Sequence, residues 1–127
     1  MLRVRQLLLF LGFLLLSACD GGVRVNRQGD PCVEDLITLR VEVVDAHGNA
    51  VRDATVTAIH ADTGRTITGT TSERGVTTAV NEELGSGIVT VRATAGSKVS
   101  PPADVTWTCD GCNCNPDPST VRLQLNP

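Results

Sequence analysis

From Cys32 onward the apolar residues return at every second position, and nowhere after residue 19 do they keep helical spacing for three turns. Ile37, Leu39, Val41 and Val43 alternate with Thr38, Arg40 and Glu42, the pattern of a strand with one buried face. Asp45-Ala46-His47-Gly48-Asn49 then reads as a turn, and Val51, Ala54, Val56 and Ala58 open a second strand. A third spans 66–71, and Ser72-Glu73-Arg74-Gly75 turns the chain into Val76, Thr78 and Val80. A looser loop, 81–87, leads to Val89, Val91 and Ala93. Val105 and Trp107 mark a sixth strand, and Val121, Leu123 and Leu125 a seventh. The fifteen threonines suit exposed β-branched strand positions. The expectation is an all-β chain: a single seven-stranded antiparallel β-sandwich over 32–127.

What fills such a core is limited. Both phenylalanines, Phe10 and Phe13, lie in the first 18 residues, tyrosine is absent, and Trp107 is the only tryptophan. The interior must therefore be built from Val, Ile, Leu and Ala around one indole. The same lack of aromatic side chains disfavours carbohydrate or single-strand nucleic acid binding by stacking. From residue 19 onward nine basic residues stand against fourteen acidic ones, a balance of −5, which offers no basic patch for nucleic acid.

Residues 1–18 have the three parts of an export signal: Arg3 and Arg5, the apolar run Leu7 to Leu16, and the small pair Ser17-Ala18. The run is about half the ~20 residues that a spanning helix needs. An ordinary secretory cut after Ala18 is the simpler alternative. Leu16-Ser17-Ala18-Cys19, however, resembles the bacterial lipobox at every position. The resemblance implies cleavage before Cys19, lipid on Cys19, and a domain held outside the cytoplasm at the cell envelope. Asp20 is similar to the residue that retains some lipoproteins at the inner membrane, and the choice between inner and outer membrane stays open. The glycine-rich, aperiodic stretch after Cys19 completes a tether, 19–31. Its reach is about 19 Å as a flexible coil and ~40 Å fully extended, so the domain would sit close to the membrane.

With Cys19 assigned to lipid, Cys32, Cys109, Cys112 and Cys114 remain. An even number in an exported chain reads as disulfides. Period two places Cys109 on the core-facing side with Val105 and Trp107. Cys32 is expected to pair with Cys112 or Cys114, the second bridge staying within 109–114. The long bridge closes about 80 residues and is worth ~4.5 kcal/mol on the chain-entropy model. The alternative is a metal site made of these four thiolates, with oxygens from Asp110, Asn113, Asn115 and Asp117. The spacing lacks the paired C-x-x-C of structural zinc, and an oxidising compartment converts thiols to disulfides. Disulfides are the expectation, with no metal and no cofactor.

Three stretches carry a family resemblance. Asp45 to Val56 (DAHGNAVRDATV) is similar to the D-x-x-G-x-x-V-x-x-A-x-V signature of bacterial Ig-like and carboxypeptidase-regulatory-like domains. Thr70 to Val76 (TTSERGV) resembles their T-T-D-x-x-G turn, with Ser72 in place of Asp. Gly87 to Ala93 (GIVTVRA) resembles their G-x-Y-x-V-x-A strand, with Val89 in place of the aromatic. The likeness spans residues 36–96 and implies an Ig-like or prealbumin-like sandwich that serves as a non-catalytic spacer, adhesive or accessory module. The hydrolase branch of the prealbumin-like fold uses a tyrosine-containing tail, which Leu123-Gln124-Leu125-Asn126-Pro127 does not match.

Catalytic constellations are missing from the pattern. His47 reads as a solvated turn residue, and His60 ends the second strand near Asp62. Glu82-Glu83 reads as a solvated loop pair, and no G-x-S-x-G elbow occurs. The functional expectation is a non-enzymatic, membrane-anchored module for structural or protein–protein roles.

Overall fold

The structure, a computed structural model, describes Cys32 and residues 35–127. The expected signal segment, Cys19 and the expected tether lie outside the described residues. Val33–Pro127 forms one compact unit made of nine strands: β1 Arg40–Val44, β2 Thr55–His60, β3 Thr66–Thr70, β4 Val76–Thr77, β5 Gly87–Ala95, β6 Lys98–Val99, β7 Ala103–Cys109, β8 Cys114–Asp117 and β9 Thr120–Gln124. They make two sheets, β4-β1-β9 and β3-β2-β5-β7-β8, with the short β6 pairing with β5. The unit is all-β, consistent with a β-sandwich.

The core follows from alternation. Leu39, Val41, Val43, Val121, Leu123 and Leu125 from the smaller sheet bury against Ala54, Val56, Ala58, Val89, Val91, Ala93, Val105 and Trp107 from the larger one. All but Leu39, Ala54 and Leu125 lie within strands, those three stand directly beside a strand end, and each is separated from the next on its strand by an outward residue. Trp107, 1% exposed, is the largest fully buried side chain.

Four details depart from the sequence reading. First, the pairing is not wholly antiparallel: β1 and β9 run parallel, from Arg40 opposite Thr120 to Val44 opposite Gln124. Joining the two ends of the chain carries no local signal. Second, β6 and β8 add two strands to the seven expected. The segment read as a cysteine-rich hairpin loop pairs in part with β7, with Thr106 opposite Asp117 and Thr108 opposite Asn115. Third, the fourth strand is only two residues long, and its buried threonine is Thr77 while Thr78 is exposed. The Thr77 hydroxyl accepts from Ala79 N–H at 3.2 Å, a local turn that breaks the alternation. Fourth, Cys109 is exposed. It keeps the side of β7 that Trp107 occupies but lies beyond the end of the core, where little packs on it.

The joint between β1, β2 and the Ser72–Val76 turn is tied by two residues of the resemblance motifs. Thr71 is buried; its hydroxyl donates to Val51 O at 2.6 Å and accepts from Ala54 N–H at 2.9 Å. Gly75, at φ +73°, accepts at its carbonyl from Val43 N–H at 2.7 Å. A β-carbon there would lie 2.7 Å from Val43 O and 3.0 Å from Val51 N, so the position requires glycine on both conformational and steric grounds.

Candidate functional site

The polar groups singled out in the sequence converge mainly on one end of the sandwich. There the 3-10 turn Glu82–Leu84 meets the β7–β8 hairpin and the segment entering β1. Asn81 starts the turn: its side-chain oxygen accepts from Glu83 N–H at 2.9 Å, capping an otherwise unpaired donor. Glu82 is then aimed across the end of the sheets. One carboxylate oxygen accepts from Ile37 N–H at 2.6 Å and the other from Cys114 N–H at 2.9 Å, while the Asn113 side-chain amide donates to both at 3.1 and 3.3 Å. Glu82 is therefore not a solvated loop residue. It is a clasp between the chain's entry into β1 and the hairpin. Nothing in its spacing announces this; the one local signal, which the reading of 81–87 as a loose loop passed over, is that Asn81 before it is of a residue type that caps turns.

Within the hairpin, Asp110 accepts from Cys112 N–H at 2.8 Å and Asn113 N–H at 2.9 Å. Cys109 and Cys114, an opposed cross-strand pair, are joined in a disulfide with Cα atoms 3.8 Å apart. Cys32 and Cys112 are each in the disulfide-bonded state as well. The four sulfurs proposed as thiolate ligands are thus oxidised, and Asp110, the nearest oxygen candidate, is engaged with backbone N–H groups. Among the described residues no cluster of three or more His, Cys, Asp or Glu side chains is arranged to hold a metal.

His60 is buried, at 3% exposure. Its Nδ1 accepts from Asp62 N–H at 3.1 Å and Thr63 N–H at 3.3 Å, which leaves Nε2 to donate to Ser86 O at 2.7 Å. Both ring nitrogens are used in holding the β2–β3 turn against the start of β5. Gly87, at φ +125°, makes room: a β-carbon would lie 2.8 Å from His60 Nε2. His47 is exposed on its turn, where Asp45 accepts from His47 N–H and Asn49 N–H, both at 2.9 Å. A shallow groove of about 160 Å³ is lined by Arg65, Thr66, Ile67, Glu83 and Leu84; its charged residues are exposed.

The electrostatics are those of carboxylates used as structural acceptors. Ile37 N–H, then Cys114 N–H, hold Glu82 below its ordinary value of 4.5. The backbone N–H groups of Asn49 and His47 do the same for Asp45, and those of Asn113 and Cys112 for Asp110, each from an ordinary 3.8. Depressed carboxyls contribute stability that is present above the unfolded values and lost as pH falls through the folded ones. Stability should therefore hold from neutral pH down to about 4.5 and decline below it. Glu82→Gln should make that decline shallower, as checked by urea midpoints between pH 7 and pH 2. An equally steep acid limb in the variant would refute the clasp.

Searched against models of known families and against curated proteins, the chain matches none. Among the described residues no helix is long and apolar enough to cross a membrane.

Proposed function

We propose that the chain is a lipid-anchored protein of the bacterial cell envelope whose sandwich is a non-catalytic module of the Ig-like or carboxypeptidase-regulatory-like kind, making structural or protein–protein contacts. The observation that carries this reading is the order Leu16-Ser17-Ala18-Cys19, tether, β-domain, in which the signal-like segment ends directly before the residue that would bear the lipid. Two or more acyl chains would make attachment stable, since a single one binds only marginally. The engagement of His60, Asp45, Glu82 and Asp110 with main-chain groups supports a scaffold role, because each is bonded to the fold rather than presented to a substrate. With Cys114 bonded to Cys109, Cys112 is the remaining partner of the two expected for Cys32.

Intact-mass measurement of membrane-extracted protein, followed by non-reducing peptide mapping, tests the reading. The expected result is an acylated N-terminal Cys19, Cys109 joined to Cys114, Cys32 joined to Cys112, and no free thiol among the four. Protein released into the culture fluid with an unmodified N terminus would overturn the anchor. Four free thiols with retained metal would favour the metal-binding alternative.

A further inference from the structure

The larger sheet has two outer edges, and they are treated differently. On β8, register decides which groups face away from β7. Asp110 N–H donates to Asn113 O, so by alternation Thr108–Asn115 and Thr106–Asp117 are the hydrogen-bonded pairs, and Cys114 and Pro116 face outward. The outward N–H of Cys114 is taken by Glu82, and Pro116 has none. That edge is closed to an incoming strand.

The opposite edge, β3, has no such protection. Thr71 N–H donates to Ala54 O, and Arg65 O accepts from His60 N–H, so residues 65, 67, 69 and 71 face β2. The N–H and C=O groups of Thr66, Thr68 and Thr70 then point away from the sheet, and no group among the described residues meets them. All three threonines are exposed, and 66–72 (TITGTTS) contains no charge and no proline. Unprotected edges of this kind pair with other strands.

We infer that β3 is a self-association edge on which a second copy of this chain docks antiparallel, about a two-fold axis at Thr68. The strand matches itself in that register. Thr66 meets Thr70 of the second copy, Thr68 meets Thr68, and each pair exchanges two backbone hydrogen bonds. Cross-strand threonine pairs are favourable. On the inner side Ile67 meets Gly69, so no two bulky side chains oppose each other there. Gly69 is itself small because a β-carbon would lie 2.5 Å from Ala79 Cβ. Arg65 falls opposite Thr71 of the second copy, so no like charges oppose each other along the paired stretch 65–71. A peptide strand from another protein would gain the backbone bonds but not this symmetry.

The test uses the full chain, disulfides intact, in density-matched detergent. Sedimentation equilibrium from micromolar to millimolar concentration should reveal a reversible dimer. Thr68→Lys, which opposes like charges across the axis at an exposed position, should weaken it about tenfold or more with thermal unfolding unchanged. Thr68→Cys should oxidise to a covalent dimer at least about tenfold faster than Thr57→Cys, whose copies would lie roughly three strand spacings, about 14 Å, apart. A chain that stays monomeric throughout, a dimer that survives Thr68→Lys, or equal oxidation of the two cysteine variants overturns the inference.

Discussion

Replacing Trp107 with alanine is expected to destabilise the domain by about 3–5 kcal/mol. The indole is the largest fully buried side chain in a core otherwise made of valine, leucine and alanine. Small β-branched neighbours fixed in strands on both sheets have little freedom to collapse into the space left behind. Such a loss is a large share of the ~5–15 kcal/mol that holds a domain of this size. Urea unfolding followed by circular dichroism measures it, and a midpoint shift equivalent to less than about 1.5 kcal/mol would mean that the cavity refills. Carbohydrate binding that disappeared in a folded Trp107→Ala protein would instead indicate a surface role for this side chain.

The second large effect belongs to Gly75→Ala, expected at about 3–4 kcal/mol. Left-handed backbone costs a non-glycine residue about 1–3 kcal/mol. The added β-carbon also presses on Val43 O, which cannot recede freely because it accepts from Val51 N–H at 3.0 Å, while Val43 N–H donates to Gly75 O. Moving either weakens a bond worth roughly 1 kcal/mol. As a control, Gly64→Ala has the same sign of φ but open space around the new β-carbon. It should cost markedly less, about 1–2 kcal/mol. Equal losses at both positions would show that backbone conformation, rather than crowding at the joint of three segments, sets the effect.

These two residues illustrate what the chain discloses before it is folded. Alternation is a local, additive signal, so the buried sets Leu39-Val41-Val43, Val89-Val91-Ala93 and Val121-Leu123-Leu125 were readable residue by residue. Gly75 was readable as a turn, but the atoms that demand it are on β1 and near β2, remote in sequence. The same distinction explains what was missed. The parallel pairing of β1 with β9, the clasp from Glu82 to Ile37 and Cys114, and the use of both His60 nitrogens each join segments whose proximity no periodicity encodes. Thr77 displaced Thr78 inward because a side-chain hydrogen bond two residues long overrode the pleat. β8 was hidden by its own composition, since proline and asparagine read as loop even where an outer strand can accommodate them. Cys109 had the right parity, but alternation does not say where the core ends.

The lone indole has one more consequence. Its Nε1 has no hydrogen-bond partner among the described residues, and apolar side chains surround it. A fluorophore so shielded emits toward the blue, and shifts red when water reaches it. Since no tyrosine competes for excitation, this molecule reports optically on its own integrity, without a label, from a single site at the centre of its packing.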